Sequence, residues 1–334
     1  MEFFRNVNIN WMGKTKYFVS LSLILLATGW YSVLRHHGLD YGIDFRGGTV
    51  IDARFSSTPP IDKIRKGLAD AGLANSSIKS ISSTLDPNSL NDIEIGLEQK
   101  GEENLDADRQ TVVNVLTNIV GTGSAAAGAS SPAFTIRSVD TVGPTVGGQL
   151  QRQAFWATMY ALGGMLVYIA FRFEWVYGAA AVIAVFHDVL ITLGFFSLFH
   201  YEISLTVIAA LLTLVGYSMN DTIVIFDRVR ENLRLMRREP FAEIVNRSIN
   251  QTLSRTILTS GLTLLTVLVL YLMGGAVLRA FSFAMVVGVV VGTYSSFGIA
   301  APIVILWNKH HGGQGAAVRA GSAADKRVPA VARR

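Results

Sequence analysis

A charged side chain within an apolar stretch or at its edge is hard to keep, and two such groups stand out in this 334-residue chain. One is the carboxylate of Asp221, in "VGYSMNDTIVIFDRVREN" (215–232); the other is the guanidinium of Arg255, in "NQTLSRTILTS" (250–260). On insertion scales a central Asp costs roughly 2.5–3.5 kcal/mol, so such a site must offer water, a partner or a proton. Burial favours the protonated carboxyl, whereas a nearby guanidinium favours the ionised one. A pair whose separation changes can therefore take up and release a proton near neutral pH. A membrane potential supplies about 2.3 kcal/mol per charge per 100 mV, enough to drive a conformational cycle.

Other polar groups fall into line with this pair. Thr206, Thr213 and Tyr217 precede Asp221 at spacings of seven, four and four residues, a polar stripe on one helix face. Arg255, Thr259, Thr263 and Thr266 recur at four, four and three on the next apolar run. If the two stripes face each other they enclose a polar path, with Asn220 beside Asp221. The bland alternative is a static Asp–Arg pair whose threonines bond their own backbone carbonyls. His187 and Asp188, with Thr192 one turn on, pose the same problem nearer mid-membrane: a relay, or a buried counter-charge. Asp227 opens the charged "DRVREN" segment and reads as interfacial.

Several chemistries are excluded. The chain has no cysteine, hence no disulfide, thiolate metal site or thiol nucleophile. "GIDFRGGT" (42–49) and "GTGSAAAG" (121–128) fit neither GxxxxGK[ST] nor a strand–GxGxxG–helix context. Gly288 and Gly292 form a GxxxG read as close helix packing. No basic groove interleaved with aromatics points to nucleic acid. The chain reads as a non-enzyme without cofactor, coupled to protons, with sodium as the alternative ion.

The elements that must position these residues are membrane helices. Half the chain is apolar, only 16% is charged, and the mean hydropathy is +0.39. The charged residues are depleted from six runs, near 17–34, 152–171, 177–199, 203–226, 256–273 and 280–306. Each approaches the roughly 20 residues that cross a bilayer. The first run reads as an uncleaved anchor, since no small-residue cleavage site follows before Arg35. Lys14 and Lys16, Arg172, the arginines of 228–247 and the basic tail all fall on one side. That side is cytoplasmic by the positive-inside rule, with both termini. The expected organisation is a cytoplasmic N-terminus (1–16), a first helix (17–34) and an exported domain (35–150). Five further helices follow over 151–308, with a cytoplasmic loop at 227–255, and a disordered basic tail over 309–334 closes the chain.

The exported segment alternates as a small α+β domain. Strand periodicity marks 48–55, 77–84, 92–97 and 133–142, and helices are expected over 60–72 and 105–120. The order βαββαβ suggests a ferredoxin-like unit. "VGPTVGGQ" (142–149), with Gly143, Pro144, Gly147 and Gly148, reads as a flexible hinge to the second membrane helix. The fold class is thus a polytopic α-helical membrane protein, with six transmembrane helices and this domain between the first two.

"GYSMNDTIVIFDRVREN" (216–232), "GIDFRGGT" (42–49), "VGPTVGG" (142–148), "FRFEW" (171–175) and "NQTLSRTILTS" (250–260) together resemble the SecF subunits of bacterial preprotein translocases. These belong to the SecD/SecF family within the resistance–nodulation–division (RND) superfamily. The resemblance covers about residues 11–308. It implies an RND-type half bundle in the inner membrane that pairs with a homologous six-helix SecD. It also implies an auxiliary role: the proton-motive force promotes export of unfolded preproteins through SecYEG after the SecA step, with YajC and YidC as further associates. The family's proton-pathway positions correspond to Asp221 and Arg255, with a further carboxylate contributed by SecD. Asn220, Asp188, His187, Tyr217, Thr259 and Thr263 are the secondary candidates. A small-molecule antiporter of the same superfamily and a non-transporting assembly factor are the rival readings.

Overall fold

A computed structural model describes residues 8–73, 76–81, 91–98, 105–120, 134–172, 175–236 and 238–310. A helix, α1 (Thr15–Arg35), is followed by the short α2 (Ile43–Arg46) and a small α+β domain. The domain runs β1 (Gly48–Phe55), α3 (Ile61–Asp70), β2 (Ser77–Ile81), β3 (Asp92–Glu98), α4 (Leu105–Val120) and β4 (Phe134–Val142). All pairings are antiparallel, in the order β2-β3-β1-β4. The period of two along β1 and β3 sends Ile51, Ala53, Phe55, Ile93, Ile95 and Leu97 to one face. Ile64 and Leu68 of α3, and Val112 and Leu116 of α4, seal that face into a core. The other face is polar. There Arg54 forks onto Asp92, with Nε–Oδ1 at 2.6 Å and Nη2–Oδ2 at 2.7 Å. The expected strands 77–84 and 133–142 appear as β2 and β4, their outer residues 82–84 and 133 lying outside the described set.

The remaining helices form a bundle: α5 (Pro144–Arg172), α6 (Trp175–Phe199), α7 (Leu205–Leu235), α8 (Phe241–Met273) and α9 (Gly275–Ser295). A π turn (Ser296–Ala300) leads into α10 (Ala301–His310). Among the described residues, five helical segments are long and apolar enough to cross a membrane: Met12–Arg35, α6, α7, α8 and Val277–His310. The 29-residue α5 is the sixth long element but is not one of these five.

Two expectations change here. The loop expected at 227–255 shrinks to residues 236–240, because both flanking helices continue past their apolar runs. Asp227 consequently lies within α7. The continuation is stabilised by Val229, Val245 and Ile249, which stay in the core, and by side-chain bonds between the helices. Asn232 Nδ2 donates to Ser248 Oγ and Gln251 Oε1, each at 2.8 Å, and Arg228 Nε donates to Gln251 Oε1 at 2.7 Å. Residues 9–11 are fastened to the same extension: Asn246 Oδ1 accepts from Trp11 N at 2.7 Å, and Asn250 Nδ2 donates to Ile9 O at 2.9 Å. The expected disordered tail from 311 onward and the segment "GTGSAAAG" (121–128) lie outside the described residues.

The second change concerns the join between domain and bundle. β4 ends at Val142 and α5 begins at Pro144, so "VGPTVGGQ" is a strand end and a first helical turn in place of a loose loop. Proline suits that first position, where its missing N–H is not needed. This turn packs on the "GG" pair of the earlier motif. A Cβ on Gly47, whose φ is +76°, would lie 2.6 Å from Pro144 Cα, and one on Gly147 would lie 3.0 Å from Gly47 N. The same motif grips the α6–α7 connection. Gly42 N donates to Ile203 O (2.9 Å), Ile203 N to Asp40 O (2.7 Å) and Leu205 N to Asp44 Oδ2 (2.8 Å).

The polar sheet face also reaches that connection. Glu94 on β3 pairs in register with Asp52 of β1 and Lys79 of β2, and Lys79 is ion-paired to Glu202. Burial, then repulsion from Glu202 and Asp52, pushes the Glu94 carboxyl up to about 7, with Lys79 opposing. Because this carboxyl is raised above its ordinary 4.5, the folded chain holds the proton more tightly than the unfolded one. Its contribution to stability is therefore intact at acid pH, declines as pH rises from about 4.5 to about 7, and is flat above. Glu94→Gln should flatten this decline and raise stability at pH 8 by up to about 3 kcal/mol. Thermal melting of the detergent-solubilised chain from pH 4 to 8 measures it; an unchanged slope in the variant is the contrary result.

Candidate functional site

Asp221 lies on the buried face of α7, only 3% exposed, with Leu214, Ser218, Ile225 and Val229 on the same face. Its Oδ2 accepts one hydrogen bond, from Ser260 Oγ of α8 at 2.9 Å. Arg255 is exposed and forms no ion pair or side-chain hydrogen bond among the described residues, although its charge acts on the Asp221 carboxylate through space. Its guanidinium lines an open cleft of about 480 Å³ between α5, α7 and α8, together with Tyr168, Val224, Asp227, Glu231 and Thr252. Asp221 and Arg255 are thus brought near one another, but a serine and not the arginine holds the carboxylate.

The two expected stripes do not enclose a path within this chain. Thr206, Thr213, Thr259 and Thr266 are exposed on the bundle surface. Thr213, Thr259, Thr263 and Thr266 each donate to the carbonyl four residues back, at 2.8 to 3.0 Å. The reason is the pitch: a step of four residues turns about 40° beyond a full turn, so a stripe drawn every four residues winds around the helix. From Thr206 to Asp221 the drift carries the line from the exposed to the buried face. On α8 the buried hydroxyl line is the adjacent one, Thr252, Thr256 and Ser260. Asn220 is exposed beside Asp221, and Tyr217 Oη is buried without a hydrogen-bond partner among the described residues.

A second buried carboxylate stands in the middle of α6. Asp188 is 0% exposed and accepts three side-chain hydrogen bonds. Ser218 Oγ of α7 and Ser295 Oγ of α9 donate to Oδ2 at 2.6 and 2.8 Å, and His187 Nδ1 lies 2.9 Å from Oδ1. His187 Nε2 is buried and unpartnered among the described residues, with the Tyr294 ring packed edge-on against the imidazole. The GxxxG of α9 makes this crossing possible: a Cβ on Gly292 would lie 2.9 Å from Ser218 Cβ, and one on Gly288 would lie 2.5 Å from Leu214 Cδ1. Ser218, Ser260 and Ser295 escaped the sequence reading, because a lone serine in an apolar run looks like any small packing residue. The signal that could have found Ser260 is its four-residue spacing from Thr252 and Thr256.

A family model described as protein export membrane protein SecD/SecF, C-terminal, matches residues 123–310, and a SecD/SecF GG motif model matches 36–59. The protein translocase subunit SecF of Koribacter versatilis is 42% identical over 98% of this chain and 98% of its own length. The chain belongs to the SecD/SecF family. A crystal structure of Thermus SecDF, titled a translocon-associated membrane protein, superposes with a TM-score of 0.78 at 38% identity. That match covers 91% of this chain but only 39% of the SecDF chain. The GG motif of the family is the segment packed under Pro144, and its C-terminal region contains Asp188, Asp221, Ser260 and Arg255.

In this SecD/SecF member Ser260 is the only hydroxyl that donates to the Asp221 carboxylate among the described residues. Ser260→Ala should therefore destabilise the chain by about 1–3 kcal/mol, the worth of a buried hydrogen bond to a charged group. Thr263→Ala, which removes only a bond to its own backbone, should cost well under 1 kcal/mol. Melting of the two variants in the same detergent decides; equal losses would contradict the assignment.

Proposed function

We propose that this chain is the SecF-type half of an accessory unit of the Sec protein translocase, using the proton-motive force to promote preprotein export. In this reading it crosses the inner membrane six times, α5 included, with both termini cytoplasmic and the ferredoxin-like domain outside. The observation that carries the reading is a buried Asp221, held among the described residues by a single hydroxyl, beside an open cleft that exposes Arg255 with no ion pair among them. A static ion pair would have closed that gap. Asp221 exchanges the proton, Arg255 supplies the movable counter-charge, and the packed turn at Gly143, Pro144, Gly147 and Gly148 passes motion to the domain.

The path is completed by a second half bundle of SecD type. Support comes from Thermus SecDF, where a segment like this chain is 39% of a longer polypeptide. The face that would meet it is the exposed line Thr206, Ala209, Thr213, Gly216 and Asn220 on α7, whose small side chains permit close helix approach. Together the two halves would act beside the translocase channel on an emerging unfolded chain.

Asp221→Asn keeps the shape and the hydrogen-bonding oxygen but cannot ionise. Export into membrane vesicles under an imposed proton gradient should fall to the level seen without this subunit, with the partner complex still recovered intact. Gradient-dependent export at the unsubstituted level would refute the proton role of Asp221.

A further inference from the structure

Asp188 is buried from end to end, and the proton reading of Asp221 does not use it. A carboxylate removed from water needs donors on both oxygens, and here they come from three directions. His187 occupies Oδ1 from the same helix; Ser218 and Ser295 share Oδ2 from α7 and α9. Serines within helices commonly bond the carbonyl a turn back. Ser295 does so as well, to Gly292 O at 3.1 Å, but the only side-chain bond of Ser218 among the described residues is the one to Asp188.

Ser218 is one helical turn before Asp221 on the same buried face. That turn of α7 is therefore held from two sides, by Asp188 through Ser218 and by Ser260 through Asp221 itself. The third arm of the node ends at a backbone irregularity: Ser295 is the last residue of α9 before the π turn Ser296–Ala300. A single wide turn of this kind re-aims the side chains around it and recurs at functional positions in helices. His187 is in turn backed by Tyr294, whose Oη is 3.0 Å from Ser22 Oγ of α1.

We propose that Asp188 is a positioning residue for Asp221, clamping the 218–221 turn of α7 onto α6 and α9 while His187 orients its carboxylate. The claim rests on the proton-exchanging role of Asp221 and adds the element that sets its place. Loss of the clamp lets the turn rotate, and the Asp221 carboxylate changes its distance from Ser260 and Arg255. Its proton affinity must then change, whereas a purely structural node would alter only stability.

The test is modification by dicyclohexylcarbodiimide, an apolar reagent that attacks protonated carboxyls within membranes. Asp221 adducts are followed by peptide mass spectrometry against pH, on the full chain in native membranes with its partners. Ser218→Ala, Ser295→Ala and the double variant remove the arms of the clamp, and Ser218→Thr keeps the hydroxyl. The expected result is a midpoint for Asp221 displaced by about one pH unit in the double variant, a tenfold change in proton affinity. Ser218→Thr should retain the unsubstituted midpoint, and should the double variant not accumulate, Ser218→Ala alone carries the comparison. A midpoint unmoved by loss of the hydroxyls, with melting temperature lowered, overturns the positioning role and leaves the Asp221 reading standing. Absence of adduct at Asp221 at every pH in the unsubstituted chain overturns both.

Discussion

A carboxylate inside an apolar bundle must find its hydrogen-bond donors among the helices around it, and much of this molecule is arranged to supply them. Asp188 on α6 is linked to Asp221 on α7 through Ser218, one turn before Asp221. Serine suits the task because its hydroxyl reaches a neighbouring helix only where the backbones nearly touch. The glycines at 288 and 292 bring α9 against α7 closely enough for Ser218 and Ser295 to meet at one oxygen. Without those glycines the node could not close.

The two carboxylates differ in the completeness of their surroundings. Asp188 is enclosed and saturated, with three donors from within the chain. Among the described residues Asp221 has one, and next to it the bundle opens into a cleft where Arg255 has no acceptor among them. A guanidinium without an ion pair among the described residues, beside a carboxylate held by one hydroxyl, leaves room for a further partner. The exposed hydroxyls of α7 and α8 border the same side, which is why the expected path between two facing stripes is absent within one chain.

The soluble domain is joined to this bundle more tightly than a flexible linker would allow. Its GG motif packs beneath the first turn of α5, its neighbouring backbone bonds to the α6–α7 connection, and Asp44 caps the start of α7. Asp221 and that cap belong to one 31-residue helix. The buried site and the domain are therefore connected by one continuous helix and a close-packed joint.

The sequence by itself determined the apolar helices, the strands and helices of the domain, and the two residues worth suspecting. Hydrophobic runs and a period of two are local signals, and an Asp inside an apolar run or an Arg at its edge stands out whatever surrounds it. Length was less legible: α7 and α8 continue well beyond their apolar runs because Asn232, Ser248 and Gln251 pair across them. Which hydroxyls serve the carboxylates was not legible at all. A helix carries several polar lines only a fraction of a turn apart, and a four-residue spacing drifts from one to the next. Only the packing of α6, α7, α8 and α9 decided that Ser260, and not Thr259, meets Asp221, because burial of a given face is set by the neighbouring helices and by nothing in the residue itself.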